Sequence, residues 1–456
     1  MRRSQVDMLK GPLLGSILSF AGPIILTSLL QLFFNAADLI VVGRFCGSIS
    51  VGAVGATGAI TNLVVNLFIG LSIGAGVTVA HGTGAKDNNS VERAVHSSMF
   101  IALVGGIALT VIGVLFSGTF LRWMGTPENV LPLSRVYMQI YFAGAVPMMV
   151  YNYGASILRA VGDTKRPLYF LSIAGVVNVL LNLMFVTVFH MNVAGVALAT
   201  MIAQCISATL VVLALMKRSD ACRLRIKELK LHKKEVANIL KIGLPAGVQG
   251  SLFSISNVII QSSINSFGEI AVAGNAAAAN IEGFVWVIMN AFMQSSLNFM
   301  GQNMGAKQYR RLRKIMLTCV LCVSAAGLVF GNLAYFLSPY LLKIYITDSA
   351  QAIAYGGLRM LYICVPYFFC GAMDVMTGSL RGIGKSMSAM FITIAGVCGI
   401  RMVWIYTIFQ IPRFHTLQCL YISYPITWAI TGLIEFTYFM IATGKLIRSQ
   451  KEQSAL

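Results

Sequence analysis

The chain has 456 residues, of which 57% are hydrophobic and only 11% are charged. An average soluble domain carries roughly a quarter charged residues, so this composition excludes a water-soluble globular protein. The formal net charge of +19 could suggest nucleic-acid binding, but the basic residues are dispersed along the chain and form no soluble basic face. The sequence therefore predicts an integral membrane protein without a nucleic-acid partner.

Apolar segments long enough to cross a bilayer, which takes about 20 residues each, recur along the whole chain. They lack the strict alternation of a membrane β-strand, so they are predicted to be α-helices. The twelve predicted spans begin near Leu14, Val51, Val95, Ser134, Leu168, Val193, Val236, Ile270, Ile315, Ala354, Ser388 and Leu417. We expect an all-α membrane protein that retains its first helix and has no soluble domain.

The Lys and Arg residues alternate with these spans. If the N-terminus is cytoplasmic, 27 of the 34 basic residues lie on the inner side, and the six on the outer side include Arg359. Because cytoplasmic segments are enriched in Lys and Arg, both termini are predicted to be cytoplasmic. The basic segment from Lys217 to Lys241 is interpreted as a topology signal that contacts anionic lipid headgroups, with a regulatory role as the alternative.

The two halves of the chain share landmarks at a nearly constant spacing. Pro23 recurs as Pro245, and the Leu-Arg-x-x-Gly sequence at 158–162 recurs at 380–384, in both cases 222 positions later. Six spans per half is an even number, so the halves should be related by an axis along the membrane normal. We predict an N-terminal lobe (1–216), a basic cytoplasmic linker (217–235) and a C-terminal lobe (236–456). Rocking of such lobes around a cavity between them would suit a solute carrier.

Asp38 is the most informative charge inside a predicted span. It shares one helix face with Gln31 and Asn35, at spacings i, i+4 and i+7. A charged group in the bilayer centre costs at least about 2.5–3.5 kcal/mol, so it faces a cavity, has a partner or is protonated. Hydrocarbon favours the protonated carboxyl and a nearby cation favours the ionised one, so Asp38 could exchange a proton or a sodium ion. The structural alternative is an aspartate held by interhelical hydrogen bonds.

Other polar residues in the spans allow more than one interpretation. Asn178 and Asn182, at i and i+4 of the fifth span, are typical of interhelical hydrogen bonding. Glu282, Asp374 and Arg401 lie in the second half, where a structural ion pair and a transport role both remain open.

Two further patterns have structural interpretations, and catalytic motifs are missing from the sequence. Glu435 stands late in the last span, where an interfacial or packing role is expected. Gly70 and Gly74 form a GxxxG motif that should permit close helix packing within the lobe and not dimerisation, so a monomer is expected. The sequence shows no nucleophile with a base, no nucleotide motif and no metal cluster, so we expect neither an enzyme nor a cofactor.

Several motifs are specific in combination. They are Gly22-Pro23, Asn35-Ala-Ala-Asp38 followed by Val42-Gly43, Gly-Ala-Lys at 84–86 and 305–307, Gln302-Asn303-Met304-Gly305-Ala306, and Leu-Arg-x-x-Gly after spans four and ten. With them, the chain resembles the multidrug and toxic compound extrusion (MATE) transporters over essentially its full length. The resemblance implies two six-helix lobes around a V-shaped central cavity. It also implies export of cationic, amphipathic compounds, driven by inward flow of sodium ions or protons.

The resemblance further implies a cation site in the first lobe. Its members would be Asp38, Asn152, Asn178, Asn182 and Thr200, with sodium as one candidate ion. Asn182 stands where one branch of the family has a second aspartate, which leaves the ion and the stoichiometry open. Phe253 stands near the place of a carboxylate that some relatives carry in the seventh span. Candidates for the substrate cavity or for polar roles in the second lobe are Gln31, Asn35, Glu282, Asp374 and Arg401.

We therefore expect a secondary active antiporter that works by alternating access. The alternatives are a flippase for a lipid-linked saccharide, which shares the two-lobe plan, and a membrane receptor or scaffold without transport. The expected partners are small cationic molecules and membrane lipids, and the expected location is a prokaryotic inner membrane.

Overall fold

The computed structural model describes residues 5–347 and 349–455, and this part of the chain contains helices and no β-strand. The helices of the first half are α1 (Leu13–Phe45), α2 (Ser48–Ala85), α3 (Asn88–Trp123), α4 (Leu131–Ala143), α5 (Ala145–Ala160), α6 (Lys165–Leu183) and α7 (Asn192–Met216). Those of the second half are α8 (Lys233–Asn265), α9 (Glu269–Gly305), α10 (Tyr309–Phe336), α11 (Ser338–Tyr345), α12 (Ala350–Ile363), α13 (Tyr367–Gly382), α14 (Ser386–Thr393), α15 (Ile400–Tyr406) and α16 (Leu417–Ala455). Short π-helical segments follow α6 (Met184–Val188) and join α14 to α15 (Ile394–Gly399). The all-α membrane fold expected from composition is confirmed.

The predicted spans correspond to these helices, but two of them are interrupted. Ten helices within the described residues are long and apolar enough to cross a membrane, and α12 with α13, bent by 49°, gives an eleventh. The remaining predicted span, near Ser134, corresponds to α4 and α5, which are separated at Gly144. A hydropathy pattern cannot detect such a break, because the apolar run continues through it.

The internal repeat extends to unusual backbone conformations. Lys86 and Lys307, which follow α2 and α9, both adopt left-handed conformations with φ of 57° and 55°. Gly162 and Gly384 also share a positive φ, at 88° and 80°. A non-glycine residue pays a steric cost in the left-handed region, so the same lysine conformation at equivalent positions marks the two segments as copies of one structural unit. The repeat inferred from sequence landmarks is therefore confirmed in the backbone.

The chain folds into two compact units, and two of the three boundaries between them fall inside long helices. The first unit comprises residues 5–6 and Leu26–Gly247, and the second comprises Asp7–Ile25 and the described residues from Val248 onward. The two boundaries inside helices, after Ile25 and after Gly247, follow within three residues of a proline, Pro23 in α1 and Pro245 in α8. Proline has no N–H group for the helical hydrogen bond, so a helix bends or breaks most easily near it. The lobe limits inferred from the sequence stay a prediction.

Each unit has its own buried core. In the first unit α3 and α5 pack together and against α2 and α7, around side chains such as Phe142 and Tyr153. In the second unit α9 packs against α10, α12 and α13, and α13 packs against α16, with Phe299 and Phe439 fully buried. These cores fix the helices that carry the polar residues described below.

The GxxxG motif of α2 makes a close helix contact inside the first unit. A Cβ atom added at Gly70 would lie 2.1 Å from the backbone nitrogen of Gly247, and one at Gly74 would lie 2.2 Å from the carbonyl oxygen of Ile239. The predicted close packing is therefore present. Its partner is the part of α8 up to Gly247, which belongs to the same compact unit as α2, although the predicted lobe limits had placed it in the second lobe.

The basic linker is folded against α3. The backbone N–H of His232 donates to the Ser97 hydroxyl at 3.0 Å, and that of Arg225 donates to Nε2 of His96 at 3.1 Å. Near the start of the linker Arg218, almost fully buried, pairs with Asp220. Although burial opposes ionisation, the hydrogen bond and charge of Arg218 hold the pKa of Asp220 below its usual value. The linker is thus an ordered segment with defined side-chain partners.

Candidate cation-binding site

Asp38 is positioned by a close approach of α1 to α6. A Cβ atom added at Gly175 of α6 would lie 1.7 Å from a ring carbon of Phe34. Only glycine leaves room for that ring, because it has no Cβ atom. Asp38 follows Phe34 by one turn of α1, and Asn178 follows Gly175 by about one turn of α6, so the same contact brings their side chains together.

The side chains of α6 donate hydrogen bonds to the carboxylate. Nδ2 of Asn182 donates to Oδ1 of Asp38. The Asn178 amide forms hydrogen bonds through both of its polar atoms when its nitrogen also faces Asp38. In that orientation the nitrogen donates to Oδ1 of Asp38 at 2.9 Å, and the oxygen accepts from the backbone N–H of Thr200 at 3.3 Å. An ionised carboxylate can only accept, so two amide N–H groups on one oxygen suit the charged form of Asp38.

The site also has oxygen atoms available for a cation. Oδ1 of Asn182 is buried without a hydrogen-bond partner in the described part of the chain. Rotation of the Asn178 and Asn182 amides would turn their oxygens towards the carboxylate, where their nitrogens now lie. Together with the hydroxyl of Thr200, these groups would offer the oxygen ligands that hard cations prefer. A proton on Asp38 could instead be donated to one of the rotated amide oxygens, so the residues fit either ion.

Other predicted members are placed differently. Asn152 lies on α5 and donates its amide to the carbonyl oxygen of Met148 at 2.9 Å, so its part in the site stays a prediction. Gln31 and Asn35 are exposed, whereas Asp38 is half-buried. Tyr137 of α4 packs against the buried cluster that contains Val41 and Val42 of α1, one turn beyond Asp38, and the sequence analysis missed it because only the fold brings α4 close to the end of α1.

The second unit contains a cavity of about 280 Å³ lined by acidic, basic and aromatic side chains. Its lining includes Phe253, Glu282, Trp286, Arg359, Tyr367, Asp374, Arg401, Tyr424 and Trp428. All three charged candidates from the second half, Glu282, Asp374 and Arg401, therefore lie at one place. Aromatic faces beside carboxylates are a surface on which organic cations bind favourably.

Within this cavity Glu282 is held by Arg359. The guanidinium lies 2.6 Å from Oε2 of Glu282 and donates to Oδ1 of Asn275 at 2.6 Å, and the Tyr367 hydroxyl donates to the second carboxylate oxygen at 3.3 Å. Arg359, counted among the outer basic residues in the sequence analysis, is buried in α12. A structural ion pair does exist, but its cation is Arg359.

Arg401 and Asp374 have other surroundings. The Arg401 guanidinium stacks on the ring of Tyr424 at 3.9 Å and donates to the Thr427 hydroxyl at 3.0 Å. Asp374 forms no hydrogen bond or ion pair with the side chains that the structure describes. The cavity thus contains the Glu282–Arg359 ion pair, the Arg401 guanidinium stacked on Tyr424, and the Asp374 carboxyl group without an ion pair among the described residues.

One further group of side chains has the composition of a metal site. Glu92, His96 and Glu228 bring their ligand atoms within 4.8 Å of one another. Arg225 already pairs with both carboxylates, at 3.2 Å and 3.1 Å, and its backbone N–H donates to the imidazole. These atoms stabilise the linker, so the cluster is explained without a metal ion.

Comparison with known proteins identifies the family. A sequence model of the MatE family matches the chain twice, at residues 23–184 and 245–407. The chain is 28% identical over 390 residues to the "probable multidrug resistance protein YpnP" of Bacillus subtilis, covering 85% of this chain and 86% of that protein. It is 25% identical to the "probable multidrug resistance protein YoeA" of the same organism, covering 93% of each chain.

A solved structure shares the fold. The crystal structure of a MATE protein in complex with MaL6 superposes with a TM-score of 0.91 at 20% identity, covering 97% of this chain and 99% of the other. The double match of the family model has the spacing of the internal repeat and covers both halves of the chain. The protein is a multi-pass membrane protein that belongs to the MatE family of transporters.

Proposed function

We propose that the protein is a secondary active antiporter that exports cationic, amphipathic compounds in exchange for sodium ions or protons. The observation that carries this proposal is the half-buried Asp38, on which amide groups of Asn178 and Asn182 converge beside an unpartnered oxygen of Asn182. This site would bind a cation reversibly, because the amide N–H groups and the ion can replace each other as the partners of the Asp38 carboxylate. The resistance functions named for the bacterial relatives support the substrate class.

Coupling requires that ion and substrate prefer different conformations. An ion bound at Asp38 would replace the N–H donors of α6 and so change how α1 packs against that helix. Substrate binding would favour the opposite conformation, and the two ligands would disfavour each other by a coupling free energy of about 1–3 kcal/mol. The two conformations would open the binding region to opposite sides of the membrane in turn, and a ligand shifts their balance only through its differential affinity.

The topology and location form part of the same proposal. The basic linker and the basic segments after α2, α5, α9 and α13 favour cytoplasmic termini in a prokaryotic inner membrane. The protein would act as a monomer with its lobes at 1–216 and 236–456, and the linker would contact anionic lipid headgroups. Reporter fusions at each terminus test the orientation, since both should report the cytoplasm.

The experiment that tests the function is efflux of a fluorescent cation such as ethidium from vesicles that contain the purified protein. Sodium and proton gradients are imposed separately, and protein-free vesicles serve as the control. Efflux driven by one gradient supports the antiporter and identifies its ion. Correctly folded protein that gives no efflux with either gradient would contradict the proposal and favour a lipid-linked saccharide flippase.

A further inference from the structure

Glu435 is a buried carboxyl group to which the proposed mechanism above assigns no role. It lies in α16 with a side chain that is 0% exposed. The Thr377 hydroxyl lies 2.9 Å and 3.1 Å from its two oxygens, and the Thr393 hydroxyl lies 3.0 Å from Oε1. Within the described residues, no basic side chain forms an ion pair with it. An ionised carboxylate buried in this way is costly, because hydroxyl groups replace only part of its hydration.

The number of available hydrogen atoms favours a proton on this group. Oγ1 of Thr393 lies 2.6 Å from the carbonyl oxygen of Ala389 and 3.0 Å from Oε1 of Glu435. A hydroxyl has one hydrogen, and a carbonyl oxygen can only accept. If the Thr393 hydrogen takes the shorter contact to Ala389, the hydrogen between Thr393 and Glu435 must come from Glu435 itself.

A second carboxyl group and one cation lie on the neighbouring helix. Asp374, Thr377 and Arg381 occupy positions i, i+3 and i+7 of α13, so they share one face. The charge of Arg381 acts on both Asp374 and Glu435. Arg381 is 94% buried, and its Nε has no hydrogen-bond partner in the part of the chain that is described. Two carboxyl groups near one guanidinium are electrically balanced when one carboxyl is protonated.

Asp374 connects this group to the cavity of the second unit. Its carboxyl lines the cavity, whereas Glu435 does not. Thr377 stands one helical turn from Asp374 and contacts Glu435 directly. A proton from cavity water can therefore bind Asp374. Asp374 and Thr377 share no hydrogen bond among the described residues, so a water molecule between them would have to carry the proton to the Thr377 hydroxyl. That hydroxyl would accept the proton while its own hydrogen passes to Glu435, so that protons are conserved and no redox partner is needed.

We propose that Glu435, together with Asp374 and Arg381, forms a proton-binding site in the second unit that is loaded from the cavity. The site is distinct from Asp38, which lies in the first unit. Its use in coupling rests on the transport function proposed above, but the binding of a proton does not. Proton loading would remove the negative charge of Asp374 or Glu435 and so reduce the attraction of the cavity for a cationic substrate.

Infrared difference spectroscopy of the full-length protein in lipid tests the proton site directly. Spectra between about pH 5 and about pH 9, a range in which ordinary carboxyl groups are already ionised, should show a carbonyl band of a protonated carboxyl. The band should disappear in Glu435→Gln, which keeps the side-chain volume, and shift in frequency in Thr393→Val, which keeps the carboxyl. It should persist in Asp38→Asn and in Glu452→Gln, an exposed control on the same helix.

Transport by the same variants tests the role of the site. Glu435→Gln should lower efflux driven by a proton gradient by about tenfold or more, whereas Glu452→Gln should not change it. A band that is unchanged in frequency and intensity in Glu435→Gln, or unchanged proton-driven efflux in that variant, would overturn the proposal. If Glu435→Gln does not fold, an unshifted band in Thr393→Val would overturn it equally. Wild-type protein that lacks efflux but shows the band would contradict the transport function and leave the proton site intact.

Discussion

Replacement of Arg359 should destabilise the second unit strongly. Arg359 is only 8% exposed, and its guanidinium contacts Glu282 and Asn275, each at 2.6 Å. Arg359→Met would fill similar space but leave the Glu282 carboxylate buried without its cation. Loss of one partner of a buried ion pair costs about 3–5 kcal/mol, because the remaining charge is uncompensated.

A double-mutant cycle measures whether the pair is the cause. Thermal or denaturant unfolding is followed for Arg359→Met, Glu282→Gln and the double variant in the same lipid or detergent. The double variant should be more stable than the sum of the single effects predicts, with a coupling energy of about 1–3 kcal/mol. Arg122→Gln, a change at an exposed arginine, should alter stability by no more than about 0.5 kcal/mol. Additive single effects would refute the ion pair as the feature that holds Glu282.

Three further predictions follow from local geometry. Gly175→Ala would drive a Cβ atom into the Phe34 ring, costing about 1–3 kcal/mol and weakening binding of the coupling ion, as measured by ion-dependent thermal stabilisation. Gly74→Ala would meet the backbone of α8 and should lower both the unfolding temperature and the transport rate. The Arg218–Asp220 pair should protect the linker from hydrogen exchange near neutral pH. Because the folded pKa of Asp220 is depressed, its stabilisation is present above the unfolded value of about 3.9 and is lost as the pH falls through the folded pKa.

Controls for these predictions are present in the chain. Gly52→Ala in α2 places a Cβ atom in open space and should have little steric effect. A Gly175→Ala variant with normal ion-dependent stabilisation would contradict the proposed positioning of Asp38. For the linker, Asp220→Asn should remove the increase in hydrogen exchange that acid causes in the wild type. If acid still increases hydrogen exchange in Asp220→Asn, another group is responsible for the pH dependence.

The general architecture was predictable because hydropathy and charge act over long segments. Twelve apolar runs and the recurrence of Pro23 at Pro245 indicated the helices and the repeat before any coordinates were known. Hydropathy did not predict the breaks at Gly144 and between α12 and α13, since a polar interruption is absent from the apolar run, whereas Gly144 itself and Pro366 before α13 are the local signals that mark them. Helix ends depend on local backbone conformation, which hydropathy does not report.

The candidate site was partly predictable. Asp38 stood out as a carboxyl group in hydrocarbon, and Asn178 and Asn182 share one face of their helix. The pairing of Glu282 with Arg359 could not be inferred, because the residues are 77 positions apart and their contact depends on how α9 packs against α12. The hydrogen bonds of Glu435 could not be inferred for the same reason, because its hydroxyl partners Thr377 and Thr393 lie on other helices, α13 and α14. The sequence indicated only an interfacial or packing role.

The central claim is that Asp38 couples ion movement to export. The most direct test is gradient-driven efflux of ethidium from vesicles containing Asp38→Asn, compared with wild type and with Glu452→Gln at equal amounts of inserted protein. The account predicts that Asp38→Asn folds and inserts but loses gradient-driven efflux, while Glu452→Gln transports like wild type. Unaltered gradient-driven efflux by Asp38→Asn would contradict the account and remove this residue from the coupling mechanism.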